Sequence, residues 1–409
     1  MNIQLFKGDR VVWAIYACLV AISIVEVFSA STFLSRNGGN YLLPIGKHIA
    51  FLGLGALLTW FFHHIPCRYF RLLPLFFLPI VIVMLIYVLV AGVTVNDGAR
   101  WIEIMGISFQ PSELAKGVLV LATALSVSLS ANEDGISKGS LKFILGITIF
   151  VCALIVTQNL STAVFTFLIV FVMLFLARVR TKWLVWIGGT CVAGALLGLI
   201  TFKILPEDPT DPIYKGAFSR AATWRARIYN DNMKKTPDPR DFVVHDKNRQ
   251  VVDSRIAIAR AEGTGLGPGR SIQRYHLAEA YSDFIFAIII EETGLFGCAF
   301  VIALYLLLFY RTGRIASRCE GHFPAHLVMG LGVLIVMQAM INMAVAVGLG
   351  PVTGQTLPLI SKGGSSMLIT SVYFGIILSI SRIARRTDMA PLRALSNDSE
   401  TSIEEFSRE

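Results

Sequence analysis

Apolar residues in this chain come in blocks close to 20 residues long, separated by polar breaks. At about 1.5 Å rise per residue, such a block matches the hydrocarbon core of a bilayer. Composition agrees: of 409 residues, 55% are hydrophobic and 15% charged, where a soluble domain carries about 25% charged residues. In hydrocarbon every backbone polar group needs a partner, and blocks of this length meet that need as helices. The reading is an all-α polytopic membrane protein with about ten transmembrane helices. They fall near 11–34, 46–63, 72–95, 112–130, 141–157, 160–177, 183–203, 283–310, 325–349 and 364–381. One large extracytoplasmic loop, about 204–282, lies between helices 7 and 8. The first block follows Lys7 and Arg10 as a signal peptide would. It is too long and has no clear cleavage site, so it reads as a retained anchor.

The net charge of +9 reports topology. Lys7 and Arg10, Arg68 and Arg71, Lys138 and Lys142, Arg178, Arg180 and Lys182, Arg311, Arg314 and Arg318, then Arg382, Arg385 and Arg386 fall in alternate connections. Ten spans put all of them on one side, which the positive-inside rule makes the cytoplasm, with both termini in it. No basic stripe with interleaved aromatics points to nucleic acid. The six cysteines, Cys18, Cys67, Cys152, Cys191, Cys298 and Cys319, form no CxxC or Cys/His pattern, and read as small apolar core residues. No metal site is therefore expected.

The outer loop is the one sizeable soluble element. Its middle, 231–253, is polar, carries Pro237 and Pro239, and reads as an irregular insertion. Residues 220–228, with Arg220, Trp224 and Arg225, suit a short interfacial helix. Gly263-Thr-Gly-Leu-Gly-Pro-Gly269 is a glycine-rich turn. The segment after Arg386 is polar and acidic. Residues 1–386 therefore read as a single transmembrane domain and 387–409 as a disordered cytoplasmic tail.

Four polar clusters share the outer side. In the first, Asn96-Asp-Gly-Ala-Arg-Trp101 contributes Arg100, and Phe109-Gln-Pro-Ser-Glu-Leu-Ala-Lys116 opens the fourth span with Pro111 at the first helical position. Glu113 and Lys116 are one turn apart there, either a buried pair holding two spans together or a cationic wall for an anionic headgroup. The second is the break Gln158-Asn-Leu-Ser-Thr162, a turn or a set of packing residues. The third runs from Arg220 and Arg225 through Gly267, Gly269, Ser271 and Gln273 to Glu279 and Asp283. Glycine-rich N–H groups and arginines hold phosphate oxygens, and two carboxylates at a membrane lip line a wet cavity. If the helix already begins at Glu279, the i,i+4 spacing puts Glu279 and Asp283 on one face. The fourth is Asn342, then the loop from Gly350 to Lys362-Gly-Gly-Ser-Ser366. There Gly363, Gly364, Ser365 and Ser366 open a span at its N-terminus, a geometry that binds anions, and Lys362 adds charge.

These clusters describe an outward-facing cavity with phosphate donors and one or two carboxylates. A lipid-linked pyrophosphate fits it. Glycosyl transfer from such a donor requires a base for the acceptor hydroxyl, for which Asp283 is best placed, and cations for the departing pyrophosphate. No motif implies a cofactor; a divalent cation, Mg or Mn, is the one addition this chemistry leaves room for.

The segments at 96–101, 109–116, 263–271, 279–294 and 357–366 carry a resemblance over nearly all the spans. The chain resembles the SEDS family (shape, elongation, division and sporulation), the group of FtsW, RodA and SpoVE. The resemblance implies an inner-membrane peptidoglycan glycosyltransferase that polymerises lipid II. It also implies a partner class B penicillin-binding protein that supplies transpeptidase activity, alongside other division membrane proteins. The family's essential aspartate, in its Pro-Glu-Ala-His-Thr-Asp-Phe pattern, falls on Asp283. The sequence departs from the family at three places. Gln-Pro-Asp-Leu-Gly-Thr becomes Gln158-Asn-Leu-Ser-Thr162, so no base can come from there. Pro-Glu-Ala-His becomes Ala278-Glu-Ala-Tyr281. The usual Tyr before Gly-Gly-Ser-Ser is Lys362. The segments 28–31, 269–274 and 283–290 look more like FtsW, the division branch, than RodA, the elongation branch. A lipid II flippase is the rival, but the polar residues gather on one side and no internal repeat is visible. A pure scaffold for a transpeptidase has no use for Asp283, Glu113 and Lys116 in the membrane boundary.

Overall fold

In the computed structural model the apolar blocks are helices. Residues 7–36, 42–95, 98–104, 107–132, 135–206, 221, 225, 249–277 and 282–384 are described. In chain order the helices are α1 (Arg10–Arg36), α2 (Leu42–His64), α3 (Cys67–Phe70), α4 (Leu73–Ala91), α5 (Pro111–Ser130), α6 (Lys138–Val156), α7 (Leu160–Leu176) and α8 (Thr181–Ile204). Then follow α9 (Arg249–Arg260), α10 (Ile285–Ala316), α11 (His322–Ala346) and α12 (Gly364–Ala384). Among the described residues nine helical segments are long and apolar enough to cross a membrane, α3 and α4 counting as one. The shorter, equally apolar α7 makes ten. Leu57, Phe76, Val90, Trp186 and Phe296 are exposed on their outer surfaces. That pattern suits surrounding hydrocarbon.

The centre of the bundle is α5, α11 and α12, which are mostly buried, with α10 and α7 packed on α11. Helix α1 belongs to this core: Val12, Ile15 and Leu19 are sealed in it. Helix α8 is the opposite case, with Leu184 as its sole buried residue.

Three features depart from the sequence reading. First, short strands in the connections accompany the all-α membrane bundle. A three-stranded antiparallel sheet, β1 (Val93–Val95), β2 (Gly98–Ile104) and β3 (Ile107–Phe109), joins α4 to α5. Ile102 pairs with Phe109 and Glu103 with Ser108. The Val-Thr-Val run before Asn-Asp-Gly is an ordinary hairpin signal, outweighed by the neighbouring spans. A two-residue ladder, β4 (Ala131–Asn132) with β5 (Gly135–Ile136), links α5 to α6. Second, the insertion read over 231–253 does not reach its expected end. Residues from Arg249 onward are helical in α9, whose buried face carries Ala257 and Ser254, and Ser254 Oγ donates to Ala346 O over 2.6 Å. Third, α10 is broken at Gly294, where φ is +66°.

The break explains the glycine-rich turn. Gly265, at φ +81°, lies against the backbone of the break: a Cβ there would sit 2.5 Å from Glu292 O and from Gly294 N. Leu295 N donates to Gly263 O at 2.9 Å, Leu266 N to Glu291 O at 2.9 Å and Gly267 N to Glu292 O at 2.8 Å. The turn therefore replaces the hydrogen bonds that α10 loses at its kink. The tail 387–409 and most of 207–248 lie outside the described residues.

Candidate active site

One end of the bundle gathers the connections that the sequence assigns to the outer side. Strand β2 carries Arg100, whose Nε donates to Gln158 O over 3.2 Å, joining the sheet to the break before α7. Asn159 caps α7, accepting from Thr162 N at 3.2 Å. Its role here is a helix cap, as expected of an Asn in that position. Ser361, in the loop before α12, donates to Ser282 O over 2.6 Å. The opposite end holds the N-terminal segment and the basic connections: Asp9 pairs with Arg311, and Asp9 N donates to Ser381 Oγ.

Asp283 is half-buried in the turn 282–284 that precedes α10. The helix starts at Ile285, so the shared helical face drawn for Glu279 and Asp283 does not extend to Asp283. Glu279 itself lies outside the described residues, as does Arg220. One carboxylate oxygen of Asp283 accepts from Ser282 Oγ at 3.2 Å. The other faces Gly354: a Cβ built there would lie 3.7 Å from Asp283 Oδ2 and 3.6 Å from Arg100 Nη1. Gly354 has φ +67°, a conformation glycine adopts readily, and the carboxylate and guanidinium both approach the space its missing side chain would fill. A carboxylate and a guanidinium thus converge on one loop at the end of the bundle.

Lys116 and Glu113 form the expected pair, Nζ to Oε1 at 2.8 Å. The pair is more enclosed than a cationic wall requires. Lys116 is 1% exposed, and its Nζ also donates to Gln338 Oε1 at 2.8 Å and Gln355 Oε1 at 3.1 Å. An ammonium has three protons, and three acceptors take them. These contacts tie α5 to α11 and to the loop before α12, as the buried-pair alternative requires. Gln355 Nε2 continues the network to Thr162 Oγ1 at 2.8 Å, which brings the second polar cluster into the site. Neither Gln338 nor Gln355 stands out in sequence, because an isolated glutamine has no spacing signature.

The glycine-rich turn also holds an anion, but the anion is the protein's own. Gly269 N donates to Glu292 Oε2 at 2.9 Å and Ser271 N to Glu292 Oε1 at 3.3 Å. Ile272 N reaches Glu291 Oε1 at 3.1 Å and Ser271 Oγ donates to Glu291. Ser271 is 1% exposed, and both its donors are committed to Glu291 and Glu292. Ser29 of α1 donates to Glu292, and Arg274 Nη1 donates to Ser29 O at 3.0 Å. Glu291 and Glu292 do not stand out in the sequence because they fall inside an apolar run. Two adjacent carboxylates there are the signal that could have found them.

In the fourth cluster α12 begins at Gly364 as expected. Ser365 is buried, accepting from Gln110 N at 3.4 Å, and Ser366 Oγ lies 3.2 Å from Thr356 Oγ1. These two serines fasten the loop. Lys362, Gly363 and Gly364 are half-buried at the helix start and stay accessible. Arg225 is described in isolation and is buried. Among the described residues no group of three or more His, Cys, Asp or Glu is arranged to hold a metal ion.

A family model described as "Cell cycle protein", covering FtsW, RodA and SpoVE, matches residues 9–386. The chain is 31% identical over 382 residues to a probable peptidoglycan glycosyltransferase FtsW of Nitrosomonas europaea, covering 90% of this chain and 92% of that protein. A protein of the same name from Geobacter sp. is 28% identical, covering 91% and 96%. Among solved structures, a chain of a peptidoglycan synthase complex superposes with TM-score 0.67 at 23% identity, covering 92% and 98%. Thermus thermophilus RodA does so with TM-score 0.62 at 24% identity, covering 92% and 97%. With ten apolar helices among the described residues and a family match over residues 9–386, this chain belongs to the FtsW/RodA/SpoVE family of cell cycle proteins.

Proposed function

We propose that this protein is a peptidoglycan glycosyltransferase that polymerises lipid II at the outer face of the bacterial cytoplasmic membrane, with Asp283 as general base. The observation that carries the assignment is the approach of both Asp283 Oδ2 and Arg100 Nη1 to the space that a side chain at Gly354 would fill. In the reaction the acceptor sugar hydroxyl bonds to the anomeric carbon of the donor, and its proton passes to the Asp283 carboxylate. The anomeric C–O bond to phosphate breaks, and its electron pair leaves with the lipid pyrophosphate. Arg100 and Lys362 are the cations suited to the developing pyrophosphate charge, together with the N-terminus of α12. Lys116 acts one layer below, as the bolt between α5, α11 and the 350–363 loop.

The FtsW name of the relatives and the FtsW-like segments favour septal synthesis during division. Alternate basic connections favour cytoplasmic termini and an outward site. The likeness to a chain of a peptidoglycan synthase complex supports a class B penicillin-binding protein as partner. The test is the purified protein with lipid II, in the presence of that partner, assayed for glycan strands on a gel. Strand formation that needs this chain supports the reading; lipid II translocation without polymerisation by correctly folded protein overturns it.

A further inference from the structure

Asp283 sits in a turn outside the regular hydrogen bonding of α10, so something else must fix its backbone. Two side chains from different elements do so. Asn342 of α11 donates from Nδ2 to Asp283 O at 2.8 Å and to Gln355 O at 2.6 Å. Ser361 donates from Oγ to Ser282 O at 2.6 Å while accepting from Leu357 N at 2.7 Å. Both residues are buried, Asn342 at 1% and Ser361 at 2% exposure. Each bond ends on a carbonyl of the turn that carries the carboxylate, and each starts from the framework that holds Gly354. Asn342 also touches Gln355, whose side chain reaches Lys116.

We propose that Asn342 and Ser361 are positioning residues that set the distance of the Asp283 carboxylate from the 350–363 loop, and hence from the acceptor hydroxyl. The inference rests on the assignment of Asp283 as base. A shift of about 1 Å in a catalytic group costs up to roughly 10²-fold in rate. Loss of either bond frees one carbonyl of a two-point clamp.

The bland alternative is that both residues only satisfy buried polar groups. It predicts loss of folded protein rather than loss of turnover per folded molecule. The experiment uses the full chain with its partner transpeptidase and lipid II. Ser361→Ala and Asn342→Ala are expected to lower kcat about tenfold, with KM for lipid II within about twofold of the parent. Ser361→Thr, which keeps the hydroxyl, is expected to restore kcat. Parental kcat in both alanine variants overturns the proposal. So does a rate loss that tracks melting temperature and is not rescued by Thr. Asp283→Asn is run beside them. Full activity in that variant defeats the base assignment itself, whereas an inactive Asp283→Asn with parental alanine variants defeats the positioning role alone.

Discussion

Lys116 Nζ lies 2.8 Å from Glu113 Oε1 inside a bundle that admits almost no water to either residue. A charge stranded there is the costly state, at about 3–5 kcal/mol when one partner is removed. Lys116→Met and Glu113→Gln should each lower the melting temperature in detergent markedly. The double variant should recover much of the loss. Additive losses would show that the two residues do not act as a pair.

The packing of the glycine turn on the α10 break gives a second test. Gly263 and Gly265 both have positive φ, but a Cβ on Gly263 would meet nothing within 4 Å while one on Gly265 would abut the backbone of Glu292 and Gly294. Gly263→Ala carries the dihedral strain alone, about 1–2 kcal/mol. Gly265→Ala adds an overlap with main chain that no rotamer relieves, and should leave little folded protein. Gly294→Ala should match it, since its Cβ would lie 2.5 Å from Thr264 C. Equal melting temperatures for Gly263→Ala and Gly265→Ala would contradict this packing.

The spans were legible in the sequence because hydrocarbon imposes one rule along a whole block. The read boundaries differ from α2, α5, α7 and α12 by a few residues. Asp283 and the Glu113–Lys116 pair were legible for a related reason: a charge beside an apolar run needs a cause. The network was not. That Gln338 and Gln355 complete Lys116, or that Asn342 reaches Asp283, depends on which helices are neighbours, and no local spacing encodes that. The glycine turn was legible as a nest for an anion, but its occupant, Glu291 with Glu292, follows in sequence only after the chain has doubled back.

Glu292 joins three elements, accepting from Ser29 on α1 and from the N–H groups of Gly269 and Ser271. Glu292→Gln keeps the shape and removes the charge, which should cost about 1.5–3 kcal/mol. The weakened part is the turn over 263–275, so limited proteolysis there should accelerate before global unfolding does. An unchanged cleavage rate and melting temperature would show that the carboxylate is not what holds the turn.

The outward orientation proposed from the basic connections is open to direct measurement. In a cysteine-free background, a cysteine replacing Arg249 should react with a membrane-impermeant thiol reagent added to spheroplasts. One replacing Ser317 should be spared until the membrane is opened. The reverse pattern would place Asp283 on the cytoplasmic side and remove the outward site.

The measurement that bears most directly on the central claim is glycan polymerisation by Asp283→Asn, which matches the native side chain in shape but cannot take the proton. The account predicts a folded, partner-binding protein whose polymerisation of lipid II falls by about 10²-fold or more. Polymerisation by Asp283→Asn at close to the parental rate would contradict it.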